Sequence, residues 1–230
     1  NNNPTIKIKD FSNWNMNKVW NKVIFDDDNF KEFNLSNIIC KNCEWYELNL
    51  IGANLKGADL QNTHFGNVKL QNANLQGTNL RNARFEKCKF HGIKLKGADL
   101  TGVSSEKIVG TPREMPQYYT IRSGYIIGPG VDLEGANLQG ANLNGANLNN
   151  TNLIKTNLKG TDLRGALLQG AYLPEVNLYN TKLQEADLQG AWLNGALLPE
   201  VNLYNTNLKG AHLKGSFLQG AYLYKANLEG

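Results

Sequence analysis

Among the side chains able to do chemistry, Cys40 and Cys43 form the one Cys-x-x-Cys pair of a 230-residue chain. That spacing suits a zinc site or a redox couple, but zinc needs four ligands and no second pair accompanies it. Cys88 is the remaining cysteine, and three unpaired thiols point to a reducing compartment. The acidic run FDDDNF at 25–30 has neither the ligand spacing nor the glycine of a calcium loop and reads as a solvated corner. His64, His91 and His212 are far apart, and no serine or cysteine is paired with a base. The chain is therefore not read as an enzyme, and no metal or cofactor is expected.

What positions these residues is a repeat. From Val131 to Gly230 one five-residue phrase recurs, VDLEG ANLQG ANLNG to ANLEG, with leucine at its centre at every fifth residue from Leu133 to Leu228. Two residues earlier comes a small one, usually Ala; two residues later comes Gly or Asn in 15 of 20 phrases. A period of five fits neither the 3.6 of a helix nor the 2 of a regular strand, so the chain must turn at every phrase. Residues two apart in an extended segment share a side, which puts the small residue and the leucine inside together. Gly or Asn at the end of the phrase suits the positive φ of a type II turn. Lys155, Glu175, Glu185, Glu200 and Lys225 occupy that position elsewhere, and another turn type is expected there.

Residues 25–102 carry a looser version, centred on multiples of five from Phe25 to Leu100. Phe25, Trp45, Phe65 and Phe85 recur every twenty residues, which makes four phrases one coil and stacks the rings in a ladder. The A-N-L-x-G phrase, with A/T, N/D and L/F at fixed places over 25–102 and 131–230, resembles the pentapeptide-repeat family. That resemblance implies an all-β fold, a right-handed quadrilateral β-helix, here of about nine coils spaced ~4.8 Å apart. The family also includes DNA-mimicking inhibitors or protectors of DNA gyrase, and many cyanobacterial members.

The expected organisation is an N-terminal cap at 1–24, a first array at 25–102, an insertion at 103–130 and a second array at 131–230. In the cap, Ser12 precedes Met16, Val19, Trp20 and Val23 at helical spacing, so a short capping helix is one reading and an irregular strand the other. The insertion is expected to protrude, with a two-residue hairpin turn at Ser123 and Gly124. Its GYIIGPG end resembles an insertion of bacterial family members. Lys69, Arg81, Arg84, Lys87, Lys89, Lys94 and Lys96 lie outward in the first array and read as a solvated face, with a phosphate or acidic partner as the alternative. No run of about 18 apolar residues exists to cross a membrane, so no membrane partner is expected. The thiols favour the cytoplasm; a chain beginning at Asn1 leaves an exported or lumenal location, after loss of a signal peptide, as the alternative.

After about residue 165 the outward position before each leucine turns from Asn and Asp to apolar types. Tyr172, Trp192 and His212 form one column of the repeat, Leu197 and Phe217 the next, and Tyr204 and Tyr224 another, with Tyr222 beside them. Exposed aromatics in such number mark a binding surface. The expected function is a non-enzymatic structural or protein-interaction rod whose protein partner docks on these residues. A DNA mimic acting on gyrase is the alternative, opposed by a net charge of +4, and nucleic acid is not the expected partner. A homodimer through the coil Leu208–Leu228 is also expected, since that coil carries an apolar end with no cap following it and some family members dimerise through their C-terminal ends.

Overall fold

The computed structural model describes residues 19–26 and 29–230 and divides into two compact units, one ending at Gln117 and the other running from Tyr118 to Gly230. The described residues form strands, bridges and turns, without a helix.

In the first unit the faces are three-residue strands and shorter bridges whose central side chain points inward. The strands are β1 (Val19–Asn21), β2 (Ile24–Asp26), β3 (Ile39–Lys41), β4 (Glu44–Tyr46), β5 (His64–Gly66), β6 (Arg84–Glu86) and β7 (Ser104–Glu106). Strands β2, β4, β5, β6 and β7 stack as one parallel sheet, with Phe25, Trp45, Phe65, Phe85 and Ser105 in register. Bridges such as Asn49↔Lys69↔Lys89 and Asn54↔Asn74 also join residues twenty apart. Four faces of five residues therefore close each coil, as the spacing of the aromatic residues indicated. The rings fill the interior: Phe65 stacks on Phe85 at 4.5 Å, and Trp45 and Phe90 meet them edge-on at 5.1 and 5.2 Å. Where threonine replaces the small inward residue, its hydroxyl stays satisfied by donating to a backbone carbonyl, as Thr63 does to Cys40 at 2.8 Å and Thr78 to Leu55 at 3.1 Å.

Five expectations change. Val19 and Trp20 do not lie in a capping helix: β1 pairs in parallel with β3, Trp20 against Cys40, and Trp20 is buried as the first described member of a core column. Tertiary pairing has overridden a helical spacing read from four residues; Ser12 and Met16 lie outside the described residues. Asp27 and Asp28 of the acidic run do so too.

The array also continues past residue 102. Ser105 follows Phe85, and Val109 and Glu114 bridge to Lys89 and Lys94, so much of the expected insertion belongs to the coils. Its inward residues, Val103, Ser105 and Ile108, are buried without a leucine among them. The cysteines change as well. Cys40 and Cys43 are both fully buried, but they are joined in a disulfide across a corner, with Cα atoms 5.8 Å apart, and only Cys88 remains a thiol. Two consecutive inward positions on either side of a turn bring the sulfurs together, and the argument from unpaired thiols to a reducing compartment loses its premise. Among the described residues no helix is long and apolar enough to cross a membrane.

The second unit opens with the antiparallel hairpin β8 (Thr120–Arg122) and β9 (Tyr125–Ile127), turning at Ser123 and Gly124. It is packed rather than protruding. Ile126 and Ile127 are buried, Tyr119 donates from its hydroxyl to the Pro129 carbonyl at 2.8 Å, and the Asn137 amide donates to the Tyr125 hydroxyl at 3.1 Å. Beyond it, bridges again join residues twenty apart, and Leu133 to Leu208 line the interior. The final turn residue has positive φ in every phrase from Gly135 to Gly230, the five charged ones included: Lys155 at 54°, Glu175 at 55°, Glu185 at 64°, Glu200 at 55° and Lys225 at 59°. The expected change of turn type does not occur. For Glu175, Glu185 and Glu200, the backbone N–H donates to the next coil at 2.8 to 2.9 Å, which holds the turn against the preference of the side chain.

Candidate functional site

The outward residue before each leucine lies on one of four faces. Face one carries Asn152, Tyr172, Trp192 and His212 in bridged succession; face two carries Asn177, Leu197 and Phe217; face three Lys182, Asn202 and Tyr222; face four Asn147, Leu167, Asp187 and Asn207. Where the outward residue is Asn or Asp, its Oδ1 accepts the backbone N–H two residues on, as in Asn177 with Tyr179 at 3.0 Å and Asn202 with Tyr204 at 2.9 Å. These side chains serve the turn they begin. The apolar residues that displace them serve no such bond and stand in solvent: Trp192 is 45% exposed and Phe217 49%.

Their contacts fall into separate groups. Trp192 stacks on His212 at 4.1 Å and meets Tyr172 edge-on at 6.1 Å. Tyr224 stacks on Tyr204 at 6.0 Å and lies 6.2 Å from Tyr222, while the Lys225 ammonium sits 5.7 and 5.6 Å from the Tyr204 and Tyr224 rings, within cation–π range. Leu197 and Phe217 share face two. The columns therefore exist, but they occupy three faces and a corner rather than one wall.

The order behind this is a 25-residue spacing. Leu167, Trp192 and Phe217 are 25 apart, as are Tyr172, Leu197 and Tyr222, and Tyr179 and Tyr204. The phrase LPEVNLYNT, at 173 and again at 198, belongs to the same spacing. With twenty residues to a coil, a step of 25 is one coil and one face, so each line climbs about 6 Å as it turns a corner. Tyr179 is exposed on this lattice and was not singled out from the columns; the doubled phrase was the signal that identifies it.

A second polar cluster lies on the first unit. The Tyr46 hydroxyl is 3.1 Å from both Glu44 Oε2 and His64 Nδ1, and His64 Nε2 is 3.7 Å from Glu86 Oε2. Arg84 reaches Glu86 at 3.5 Å and Glu106 at 3.4 Å, and Lys87 pairs with Glu86 at 2.9 Å. Burial, then the Arg84 charge, lowers the His64 pKa; burial, then the bond to Glu44, raises that of Tyr46. Tyr46 lies directly on Gly66, where no Cβ fits. Within the basic cluster, Arg81 pairs with Asp99 at 3.4 Å, and Lys69 and Lys89 are register partners.

Two family models match the sequence: pentapeptide repeats (8 copies) over residues 132–170, 161–198 and 201–230, and pentapeptide repeat region over 38–107. No curated protein matches it. Among solved structures, HetL, a pentapeptide repeat protein involved in heterocyst differentiation regulation from the cyanobacterium Nostoc sp. strain PCC 7120, is 24% identical over 90% of this chain and 87% of its own, with a TM-score of 0.36. Rfr23, from the cyanobacterium Cyanothece 51142, is 33% identical over 45% of this chain and 84% of its own, at 0.35. QnrB1, a plasmid-mediated fluoroquinolone resistance protein, is 14% identical over 89% and 92%, at 0.30.

Proposed function

We propose that this chain, which belongs to the pentapeptide-repeat family, works without catalysis, by binding another protein on the exterior of its second unit. The observation that carries the reading is that the Leu133–Leu208 core is complete without Tyr172, Trp192, Leu197 or Phe217, which stand in solvent at positions where Asn otherwise stabilises the turn. Because the apolar lines turn a corner with each step, a flat partner meets one face at a time. A partner that meets them all is an extended segment laid along the climb, and that is the form we assign to it.

The groups best suited to chemistry are already committed. Burial pushes the Cys88 thiol up to about 12, Cys40 and Cys43 hold each other, and the His212 ring is stacked on Trp192. The gyrase alternative has no better support, since a DNA mimic must present negative charge and the chain carries +4.

The test is a pull-down from a cyanobacterial extract with the wild type, a Trp192→Ala, Phe217→Ala double variant, and Lys182→Ala as a surface control. A protein retained by the wild type and the control but lost by the double variant supports the reading; identical retention by all three overturns it.

For the last coil we propose the homodimer as a subordinate reading. Leu223 and Leu228 are 38% and 49% exposed, whereas Leu203 and Leu208 in the same columns are at 0% and 2%. A coil of a second copy would cover them, and so would more of the same chain. A monomer mass by light scattering at micromolar concentration rejects the dimer, and a dimer that dissociates on Phe217→Asp supports it.

A further inference from the structure

A groove of about 380 Å³ lies in the second unit where the hairpin faces the coil. One wall is formed by Tyr118 to Thr120 and Arg122, the other by the segment 142–147 together with Leu167. Neither wall carries a carboxylate. Arg122 donates from Nη1 to Thr120 Oγ1 at 2.7 Å and to the Ile121 carbonyl at 2.9 Å, which orients the guanidinium without neutralising it. A guanidinium has five donors, and these two bonds leave the others for a ligand. Across the groove, Asn142 and Asn147 each turn Oδ1 to a backbone N–H, of Asn144 and Asn149, both at 3.1 Å. With the carboxamide oxygens so engaged, the amide groups are left as further donors.

The wall is built to hold its shape. Tyr119 is tied to the Pro129 carbonyl and its ring lies against Gly128, where a Cβ has no room. Leu167 adds an exposed apolar side chain in a column where Asn147 precedes it and Asp187 follows. Positive charge on one wall, with amide donors and an apolar side chain on the other and a volume in the small-ligand range, select for one chemistry.

We propose that this groove binds a small organic anion, a carboxylate or phosphate headgroup on an apolar body, with Arg122 on the headgroup and Leu167 and Tyr118 against the body. The groove shares Leu167 with the start of one apolar line of the partner surface proposed above and otherwise uses other residues, so Arg122→Gln tests it without touching that surface.

The test titrates the full chain with 4-phenylbutyrate, phenyl phosphate, the neutral 4-phenylbutyramide and inorganic phosphate, following the Arg122 Nε–H and the Asn142 and Asn147 side-chain amides by NMR. Saturable shifts are expected with one or both organic anions at millimolar concentration and not with the amide; which of the two binds more tightly identifies the headgroup. Arg122→Gln should weaken binding about tenfold or more, the scale of a lost charge-assisted hydrogen bond. Leu167→Asn should weaken it as well, and as the milder change it serves if Arg122→Gln melts early. No saturable shift, equal binding of the amide, binding unchanged in either variant, or inorganic phosphate binding as tightly as phenyl phosphate overturns the proposal.

Discussion

The two units use one backbone plan and place most of their described aromatic residues on opposite sides of it. In the first, Phe25, Phe30, Trp45, Phe65, Phe85 and Phe90 lie inside, and the described outer surface includes a network of charge pairs around Glu86. In the second, leucine fills the interior and Tyr172, Trp192, Phe217 and Tyr222 stand outside. Within a five-residue phrase the centre faces the core and the residue before it faces solvent. Identity at the centre thus sets stability, and identity one position earlier sets what the surface can touch. A shift of one residue converts a core ring into a binding ring.

The largest effect should come from breaking the inward column of the second unit. Leu188→Lys buries an unpaired charge in a fully buried position and should cost several kcal/mol in a thermal or denaturant melt. Asn177→Lys, outward on face two, loses one bond to the Tyr179 amide and should cost about 1 kcal/mol or less. Equal losses would mean that the assignment of inside and outside is wrong.

Next comes the aromatic exchange itself. Phe65→Ala removes a fully buried ring stacked on Phe85 and should cost about 3–5 kcal/mol. Trp192→Ala removes a ring that is nearly half exposed and should cost less than about 1.5 kcal/mol, within the range of a single aromatic pair contact. If chemical denaturation ranked these two the other way, the contrast between the units would fail.

Acid should act on the first unit through His64. Its folded pKa is lowered from 6.5 by burial and by Arg84, so the unfolded chain binds the proton first. The contribution of this group to stability is complete above pH 6.5 and falls as the pH drops through the lowered folded value. A His64→Gln variant should lose less stability than the wild type between pH 7.5 and 5; parallel losses would assign the acid sensitivity to other groups.

The smallest change should be a gain. Glu185 holds φ at 64°, where glycine is at ease and glutamate is not. Glu185→Gly should raise stability by up to about 1 kcal/mol, and a measured loss would show that the side chain contributes more than its backbone costs.

How much of this could be read from the sequence follows from where the repeat is regular. The five-residue period, the four-faced coil and the inward leucines were legible because each position was sampled many times. The ends of the first array were not. Trp20 reads as helical beside Val19 and Val23, and only its parallel pairing with Cys40 places it in a coil. Beyond Leu100, Ser105 sits where leucine is usual, and hydrogen bonding to the preceding coil, not side-chain identity, keeps Ser104 and Val109 in phase. The columns of exposed rings were visible at twenty residues, whereas their climb appears only at 25. The groove beside Arg122 depends on how the hairpin folds back, which no local pattern in the sequence specifies.

The most direct test of the central contrast is hydroxyl-radical footprinting of the free protein, read residue by residue by mass spectrometry. Tyr172, Trp192, Phe217 and Tyr222 should be oxidised readily, while Trp45, Phe65, Phe85 and Phe90 stay protected until the chain unfolds. Comparable oxidation of the two sets, or protection of Trp192 and Phe217 in the free monomer, would contradict the account.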